Sequence, residues 1–243
     1  QKAPQTQSFG GIGQIGCANN KSRFGADPFD GRAIPEQLAG IFVAENDVLP
    51  GSGKSFVVRK TTGGLGMKVV NSDDIFEKYL KQAKLDFKMT ATQGKARDAL
   101  RTKAKVVTAK RKGNYIEGRI GLIIDGTGKD FNNIKTSSEM LRNFGYDTYM
   151  IFVNTSLEVA LERNKKRTRS VPEPLVIDSW NRVQNNIGKF QSYFGAKNIL
   201  IVDNNKSDED IMLKAYKQVQ KFINRPVQNK LAKDWVKSQK EMK

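Results

Sequence analysis

The sequence predicts an α/β fold in which helices cover a mainly parallel five-stranded sheet. Two observations support this class. Five apolar runs of strand length occur from residue 39 onward, and segments with helical patterns separate each run from the next. The runs are apolar enough to be buried on both faces, as the strands of a parallel sheet are. Strands that alternate with helices are typical of such α/β sheets.

The elements follow one another in a regular order. The predicted strands are AGIFVA (39–44), MKVV (67–70), RIGLII (119–124), YDTYMIFV (146–153) and KNILIV (197–202). The predicted helices cover 54–61, 74–84, 94–112, 131–143, 156–167, 173–193 and 208–223. Ser156 with Glu158, and Ser207 before three acidic residues, are typical of helix starts. A last helix is predicted to open at Pro226 and to end near residue 240.

Composition divides the chain into three regions. Residues 1–38 are rich in Gly, Asn, Gln and Pro and show no helical or strand period, so we expect an irregular N-terminal extension. Residues 39–205 hold the predicted α/β domain. Residues 206–243 are predicted to form basic helices that pack on the domain or extend from it.

The residue types that are missing exclude several kinds of chemistry. The 243 residues include no histidine and a single cysteine, Cys17. These counts exclude Ser-His-Asp and Cys-His catalysis and structural zinc sites built on cysteines. Acid–base chemistry must therefore come from carboxylates, Lys or Tyr. No run of about 18 apolar residues is present, and no signal-peptide pattern is visible, so we expect a cytoplasmic protein that does not span a membrane.

The positive charge is concentrated in two segments. The formal net charge is +17, with 42 Lys and Arg against 25 Asp and Glu. Residues 78–119 carry a net charge of +10, and residues 214–243 carry +7. These segments are predicted to bind a polyanion, with nucleic acid as the first candidate, through backbone phosphates. The alternative interpretation is a solvated surface.

The strongest local motif is PGSGKS, which follows the first predicted strand and precedes a helix. Its residues are Pro50, Gly51, Ser52, Gly53, Lys54 and Ser55. In this context the backbone amides cradle phosphates, Lys54 bridges the β- and γ-phosphates, and Ser55 places its hydroxyl on Mg²⁺. The full motif has a glycine six residues before the lysine, where this chain has Val48. The alternatives are a glycine-rich turn and a degraded nucleotide site.

Carboxylates follow the second and third predicted strands. Asp73 and Asp74 come after MKVV, where we expect Asp73 to act as a general base and Asp74 to cap the next helix. Asp125 ends GLIID, where a carboxylate helps to hold Mg²⁺ or to orient the nucleophile. We expect all three near the acceptor, because ligands bind at the carboxyl ends of parallel strands. The alternative for Asp125 is a simple Asp-Gly turn.

A basic cluster follows the fourth predicted strand. It comprises Arg163, Lys165, Lys166, Arg167 and Arg169 and ends before Pro172. Such a cluster beside a nucleotide site can form a lid over ATP, with guanidinium groups on the transferring phosphoryl oxygens. The alternative is a basic helix terminus that complements the helix dipole.

Together these motifs resemble P-loop kinases, in particular the kinase domain of phage polynucleotide kinases and the related zeta-toxin-like kinases. The resemblance spans residues 39–205 and is carried by PGSGKS, NSDD, IIDGT and ERNKKRTRSVP, in that order. It implies a P-loop kinase-like three-layer sandwich that uses ATP and Mg²⁺. The implied roles are ATP and Mg²⁺ binding for Lys54 and Ser55, the general base for Asp73, Mg²⁺ or nucleophile contact for Asp125, and donor-phosphate contacts for Arg163 and Arg167.

The chain departs from that family at a second position besides Val48. Polynucleotide kinases have an arginine three residues after the base, where this chain has Phe76. The basic segment 78–119 is a candidate to compensate. We expect a phage-encoded phosphotransferase that moves the γ-phosphate of ATP to a hydroxyl acceptor, with the 5′-hydroxyl of a nucleic acid as the first candidate. The alternatives are a small nucleoside, nucleotide or sugar acceptor, and a catalytically degraded P-loop protein that binds nucleic acid or serves in the virion.

Overall fold

The described part of the chain forms a five-stranded sheet in which every strand is parallel to its neighbours. The computed structural model describes residues 38–45, 58, 60–63, 65–85, 94–166, 171–206 and 208–242. The strands are β1 (Ala39–Glu45), β2 (Lys68–Val70), β3 (Leu122–Asp125), β4 (Asp147–Asn154) and β5 (Ile199–Asp203), in the spatial order β2-β3-β1-β4-β5. The predicted fold class is confirmed.

Eight labelled helices surround this sheet within the described residues. They are α1 (Ser72–Gln82), α2 (Gly94–Glu117), α3 (Phe131–Asn143), α4 (Leu157–Lys165), α5 (Glu173–Gln184), α6 (Ile187–Phe194), α7 (Glu209–Ile223) and α8 (Lys230–Glu241). A further helical turn runs through residues 60–62.

Three helix boundaries differ most from the prediction. The predicted helix 173–193 is two helices, because the buried Asn186 between them donates its side-chain amide to the Gly128 carbonyl at 3.0 Å. The helix predicted from 94 continues five residues past 112, which leaves β3 to begin only at Leu122. The last helix opens at Lys230 rather than Pro226, since Asn229 accepts the Leu231 amide as its N-cap.

Side chains along each strand point alternately to the two faces of the sheet, where they pack into two separate hydrophobic cores. Ala39, Ile41 and Val43 of β1 point to the face covered by α7. Phe42 and Ala44 point to the opposite face, covered by α3, α6 and α8. The sheet is therefore the middle layer of a three-layer sandwich, as predicted.

The C-terminal helices contribute directly to these cores. Phe222 of α7 stacks on Tyr149 of β4, with ring centroids 4.8 Å apart and planes 9° apart. Ala232 of α8 is fully buried against Gly145. All described residues fall within one unit, residues 35–243. Apart from Leu38, the predicted N-terminal extension lies outside the described residues, and the predicted division at 205 and 206 stays a prediction.

A third, smaller cluster joins α1 to α2 beyond the edge strand β2. Its buried members are Ile75, Phe76, Leu80 and Ala104. This packing brings the side chains of α2 against the amino-terminal turn of α1, and it positions the candidate site described below.

Candidate active site at the carboxyl edge of the sheet

Polar side chains stand at the carboxyl ends of four of the five strands. Asn71 follows β2, and Asp125, Asn154 and Asp203 end β3, β4 and β5. The connection from β1 runs to β2, in one direction across the sheet. The connection from β4 runs to β5, in the opposite direction. Ligands of parallel α/β sheets bind where such connections diverge, outside the carboxyl ends of the strands. The structure therefore brings Asp73 and Asp125 to the edge at which a ligand is expected.

Asn71 ties together two of the predicted site elements. Because Val70 pairs with Ile124, the next residues, Asn71 and Asp125, are neighbours across the strands. The Asn71 side-chain amide donates to Asp125 Oδ2 at 2.6 Å. Its Oδ1 accepts the backbone N–H of Asp73 at 2.7 Å and thereby caps α1. One side chain thus fixes the start of α1 relative to the end of β3.

This capping arrangement corrects one expectation. The N-cap of α1 is Asn71, not Asp74, because helix geometry begins at Ser72 and Asn71 already supplies the capping oxygen. Both aspartates lie in the first turn, where a carboxylate also complements the helix dipole. They differ in exposure, since Asp74 is exposed and the Asp73 side chain is only 25% exposed. Asp73 is therefore the better placed of the two to meet a bound ligand.

Asp73 also pairs with an arginine that the sequence analysis did not single out. Arg101 Nη2 of α2 lies 3.6 Å from Asp73 Oδ1. The Arg101 guanidinium lies over the Phe76 ring, 4.7 Å from its centroid. One helical turn earlier, Arg97 is 6% exposed. The four-residue spacing of these arginines in the basic segment 78–119 was a visible signal, but only the packing of α2 on α1 shows which of its charges reach the site.

A cavity of about 340 Å³ adjoins Asp125. Polar groups from the loop after β3 and from the start of α3 line one side of it, and Phe42 and Ile124 line the other. The described polar lining residues are Asp125, Thr127, Lys129, Asp130, Asn133 and Ser137. Its volume is within the range of sites that take small ligands.

The predicted lid is described only at its two ends. Arg163 lies in the last turn of α4, while Arg167 and Arg169 lie outside the described residues. Lys166 pairs with Glu162, and Lys165 lies 3.8 Å from Glu173, so these two lysines are engaged in surface ion pairs.

Asn164 holds the two ends of the lid segment together. It is 5% exposed, and its amide donates to the Val171 carbonyl at 2.8 Å while its oxygen accepts the Val171 N–H at 3.0 Å. One buried side chain therefore ties the last turn of α4 to Val171. The sequence analysis did not identify Asn164, because the charges of the residues beside it were the stronger signal.

The remaining predicted site residues are not described. Pro50–Ser55 and Val48 lie outside the described residues, so their predicted roles stay predictions. Among the described residues there is no group of three His, Cys, Asp or Glu side chains that could hold a metal ion by itself. The Asp125 carboxylate and the Ser55 hydroxyl are hard oxygen donors that suit Mg²⁺, which keeps most of its ligands from water and substrate phosphates. No described helix is long and apolar enough to cross a bilayer.

Comparison with known proteins places this site in a family. A sequence family described as an AAA domain matches residues 49–189, more than half of the chain. The chain belongs to this AAA domain family. The match begins just before PGSGKS and extends beyond the predicted lid, so it includes all four motifs that resemble P-loop kinases. No curated protein sequence matches the chain.

Solved structures resemble the chain at low sequence identity. A chain of the AvrRxo1-ORF1:AvrRxo1-ORF2 complex with sulphate ions superposes with a TM-score of 0.53 at 12% identity, covering 69% of this chain and 55% of that one. A gluconokinase from Sinorhizobium meliloti 1021 gives 0.47 at 14% identity, covering 76% and 93%. A shikimate kinase from Bacteroides thetaiotaomicron gives 0.46 at 12% identity, covering 77% and 99%. At these identities the likeness concerns the fold alone.

Proposed function

We propose that this AAA domain protein is an ATP- and Mg²⁺-dependent phosphotransferase that moves the γ-phosphate to a hydroxyl acceptor, with Asp73 as the general base. One observation carries the proposal: Asn71 bonds both the Asp125 carboxylate and the backbone N–H of the half-buried Asp73 at the carboxyl edge of the sheet, in a chain whose sequence carries PGSGKS after β1.

The roles of the residues follow from their chemistry. The acceptor oxygen forms a bond to the γ-phosphorus while the bond from that phosphorus to the β–γ bridging oxygen breaks, and ADP leaves. Asp73 takes the proton of the acceptor hydroxyl. Lys54 and Arg167 bind the donor phosphates, with Arg163 at the base of the lid. Mg²⁺, when bound to Ser55 and Asp125, would neutralise phosphate charge.

The acceptor that best suits the site is a small hydroxyl compound, such as a nucleoside, a nucleotide or a sugar. The cavity of about 340 Å³ next to Asp125 supports this assignment. Phe76 itself is 5% exposed and packed into the α1–α2 cluster, and the charge at this position comes from the Arg101 guanidinium over its ring.

A polynucleotide acceptor is the second candidate, because the two basic segments adjoin. The Arg119 guanidinium lies 4.6 Å from the centre of the Trp235 ring, which brings the end of segment 78–119 against segment 214–243. The exposed basic residues of α2 include Lys95, Lys103, Lys105, Lys110 and Arg111. A nucleic acid held there should dissociate with added salt, with a log–log slope of about −0.9 per phosphate neutralised on duplex DNA. A cytoplasmic location and a phage origin stay predictions from the sequence.

Transfer of labelled γ-phosphate from ATP·Mg²⁺ tests the proposal directly. The acceptors would be adenosine, gluconate, glucose and a 5′-hydroxyl oligonucleotide, each with the native protein and with Lys54→Ala. We expect transfer to at least one small acceptor, and we expect its loss in Lys54→Ala. Transfer to the oligonucleotide alone would favour the second candidate. If ATP does not bind and no acceptor is phosphorylated, the protein is not a phosphotransferase.

A further inference from the structure

A second cavity lies at the amino edge of the sheet, opposite the candidate active site. Its volume is about 440 Å³, which is within the range of sites that take small ligands. It is formed by the ends of α3 and α6, the start of β4 and the segment that joins α7 to α8. The eight residues of β4 separate this edge from the carboxyl edge by about 23 Å. The cavity is therefore distinct from the site at Asp73 and Asp125.

Two arginines from different elements line this cavity, and each lies over an aromatic ring. Arg142 belongs to the last turn of α3, and Arg225 follows the end of α7. The Arg142 guanidinium lies 4.9 Å from the centre of the Tyr193 ring, and the Arg225 guanidinium lies 5.1 Å from the centre of the Phe222 ring. A ring holds a guanidinium by its face and leaves the N–H groups at the edge of the plane free to bind a planar anion.

Hydrogen bonds fix each guanidinium on one side only. Arg142 Nε donates to Thr148 Oγ1 at 2.7 Å. Arg225 Nη1 donates to the Lys197 carbonyl at 2.8 Å and to Asn198 Oδ1 at 3.1 Å. The two Nη groups of Arg142, and the Nε and Nη2 groups of Arg225, donate to no described residue. Each arginine is thus held in place and still has two nitrogen groups for a ligand.

The charge of the cavity lining is positive. Neither arginine forms an ion pair with another residue that the structure describes. Asp147 is the only carboxylate among the described lining residues. Its oxygens accept the backbone N–H groups of Gln228 at 2.7 Å and Asn229 at 3.0 Å, so this carboxylate already serves to fix the chain before α8. Partly buried charges are stabilised by a counter-ion, and these two guanidinium groups lack one within the described chain.

We propose that this cavity binds a small organic anion, whose phosphate or carboxylate groups are held by Arg142 and Arg225. Phosphates and carboxylates accept two parallel hydrogen bonds from a guanidinium, and two guanidinium groups suit a doubly charged ligand. The neighbouring rings of Tyr193 and Phe194, with centroids 5.0 Å apart, also line the cavity and give the organic part an apolar surface. The inference does not rest on the proposed function, because the ligand is neither ATP nor the phosphate acceptor.

The alternative is that the two arginines only complement the ends of helices. Arg142 lies in the last turn of α3, where a positive charge favours the helix dipole. Arg225 bonds the Lys197 carbonyl and so ties the chain after α7 to the start of β5. In that case substitution of either arginine would lower the stability of the protein, and no anion would bind in the cavity.

Calorimetric titration with defined anions tests the proposal. The probes are inorganic phosphate, glucose 6-phosphate and succinate, and the uncharged controls are glucose and succinamide. Each is titrated into the native protein, Arg142→Gln and Arg225→Gln. Arg111→Gln is the matched control, because Arg111 is exposed on α2 and is not a lining residue. Lys54→Ala is titrated in parallel, since phosphate compounds are also expected to bind at PGSGKS.

We expect glucose 6-phosphate or succinate to bind the native protein and neither uncharged control to do so. Arg142→Gln and Arg225→Gln should each weaken that binding by about 10- to 100-fold, the range for loss of a hydrogen bond to a charged group. Arg111→Gln and Lys54→Ala should bind as the native protein does. The comparison of glucose 6-phosphate with succinate shows whether the site takes phosphates or carboxylates. Failure of all three anions to bind would overturn the inference, and so would binding that neither glutamine variant weakens.

A chemical readout on the native protein needs no variant and applies even if a substitution prevents folding. Phenylglyoxal modifies arginine side chains, and mass spectrometry of the resulting peptides measures the rate at each position. A saturating concentration of the bound anion should slow the modification of Arg142 and Arg225 but not that of Arg111. Equal rates at Arg142 and Arg225 with and without the anion would overturn the inference.

Discussion

Replacing Asn71 by Ala removes two interactions at once. The variant loses the N-cap bond to the Asp73 amide at 2.7 Å and the bond to Asp125 at 2.6 Å. Loss of an N-cap costs about 1 kcal/mol, and loss of a hydrogen bond to a carboxylate costs about 1.5–3 kcal/mol. We expect the free energy of unfolding to fall by about 2–4 kcal/mol. For a chain of this size, that corresponds to a melting temperature about 4–16 °C lower.

The same variant should lose activity beyond its loss of stability. Asn71 sets the direction in which α1 presents Asp73, and a displacement of about 1 Å at a reacting group can cost about 10²-fold in rate. We expect kcat to fall about 10- to 100-fold, with ATP binding unchanged, measured at a temperature where the variant remains folded.

Urea unfolding followed by circular dichroism measures the stability change. Asn71→Ser is the matched control, because serine keeps a capping oxygen but is too short to reach Asp125. It should be about 1 kcal/mol more stable than Asn71→Ala. An Asn71→Ala protein within about 0.5 kcal/mol of the native protein would refute the reasoning, as would equal stability of the Ser and Ala variants.

Three further predictions follow from the geometry. Burial raises the pKa of the Tyr146 hydroxyl to about 12, so this group contributes stability below pH 10 that is lost as the pH rises toward 12. Tyr146→Phe should therefore flatten the curve of unfolding free energy against pH in this range. A curve unchanged by the substitution would contradict this prediction. Asn164→Ala should raise the KM for ATP, because it removes both bonds between α4 and Val171 on either side of the predicted lid, and a KM equal to that of the native protein would argue against a lid. Asp125→Asn should raise the Mg²⁺ concentration needed for half-maximal transfer; an unchanged requirement would remove Asp125 from the metal site.

The fold was predictable because the apolar runs are long and the helices between them are regular. Strands buried on both faces appear in the sequence as continuous apolar runs. GSGKS after the first of these runs indicates the parallel sheet of a P-loop fold. Boundaries were less predictable where tertiary contacts decide them. The break at Asn186 depends on the Gly128 carbonyl, which is 58 residues away in sequence and meets Asn186 only in the folded chain.

The positions of Asp73 and Asp125 at the carboxyl edge of the sheet were predictable, but the residues that contact them were not. Asp73 and Asp125 follow strands, so their edge of the sheet could be inferred. Asn71 meets Asp125 only because β2 lies next to β3, which the order of strands along the chain does not reveal. In the sequence, Phe76 stands where polynucleotide kinases have an arginine. The structure supplies Arg101 from another helix over that ring, and no local pattern could have predicted the contact.

The most direct measurement compares Asp73→Asn with Asp74→Asn, two neighbouring substitutions of the same chemistry. With an acceptor that the native protein phosphorylates, kcat at saturating ATP·Mg²⁺ should fall by about 10²–10⁴-fold in Asp73→Asn, the range for loss of a general base. Asp74 is exposed, so Asp74→Asn should stay within about threefold of the native rate, and ATP should bind all three proteins alike. Near-native turnover in Asp73→Asn, or an equal loss in both variants, would contradict the assignment of Asp73 as the base.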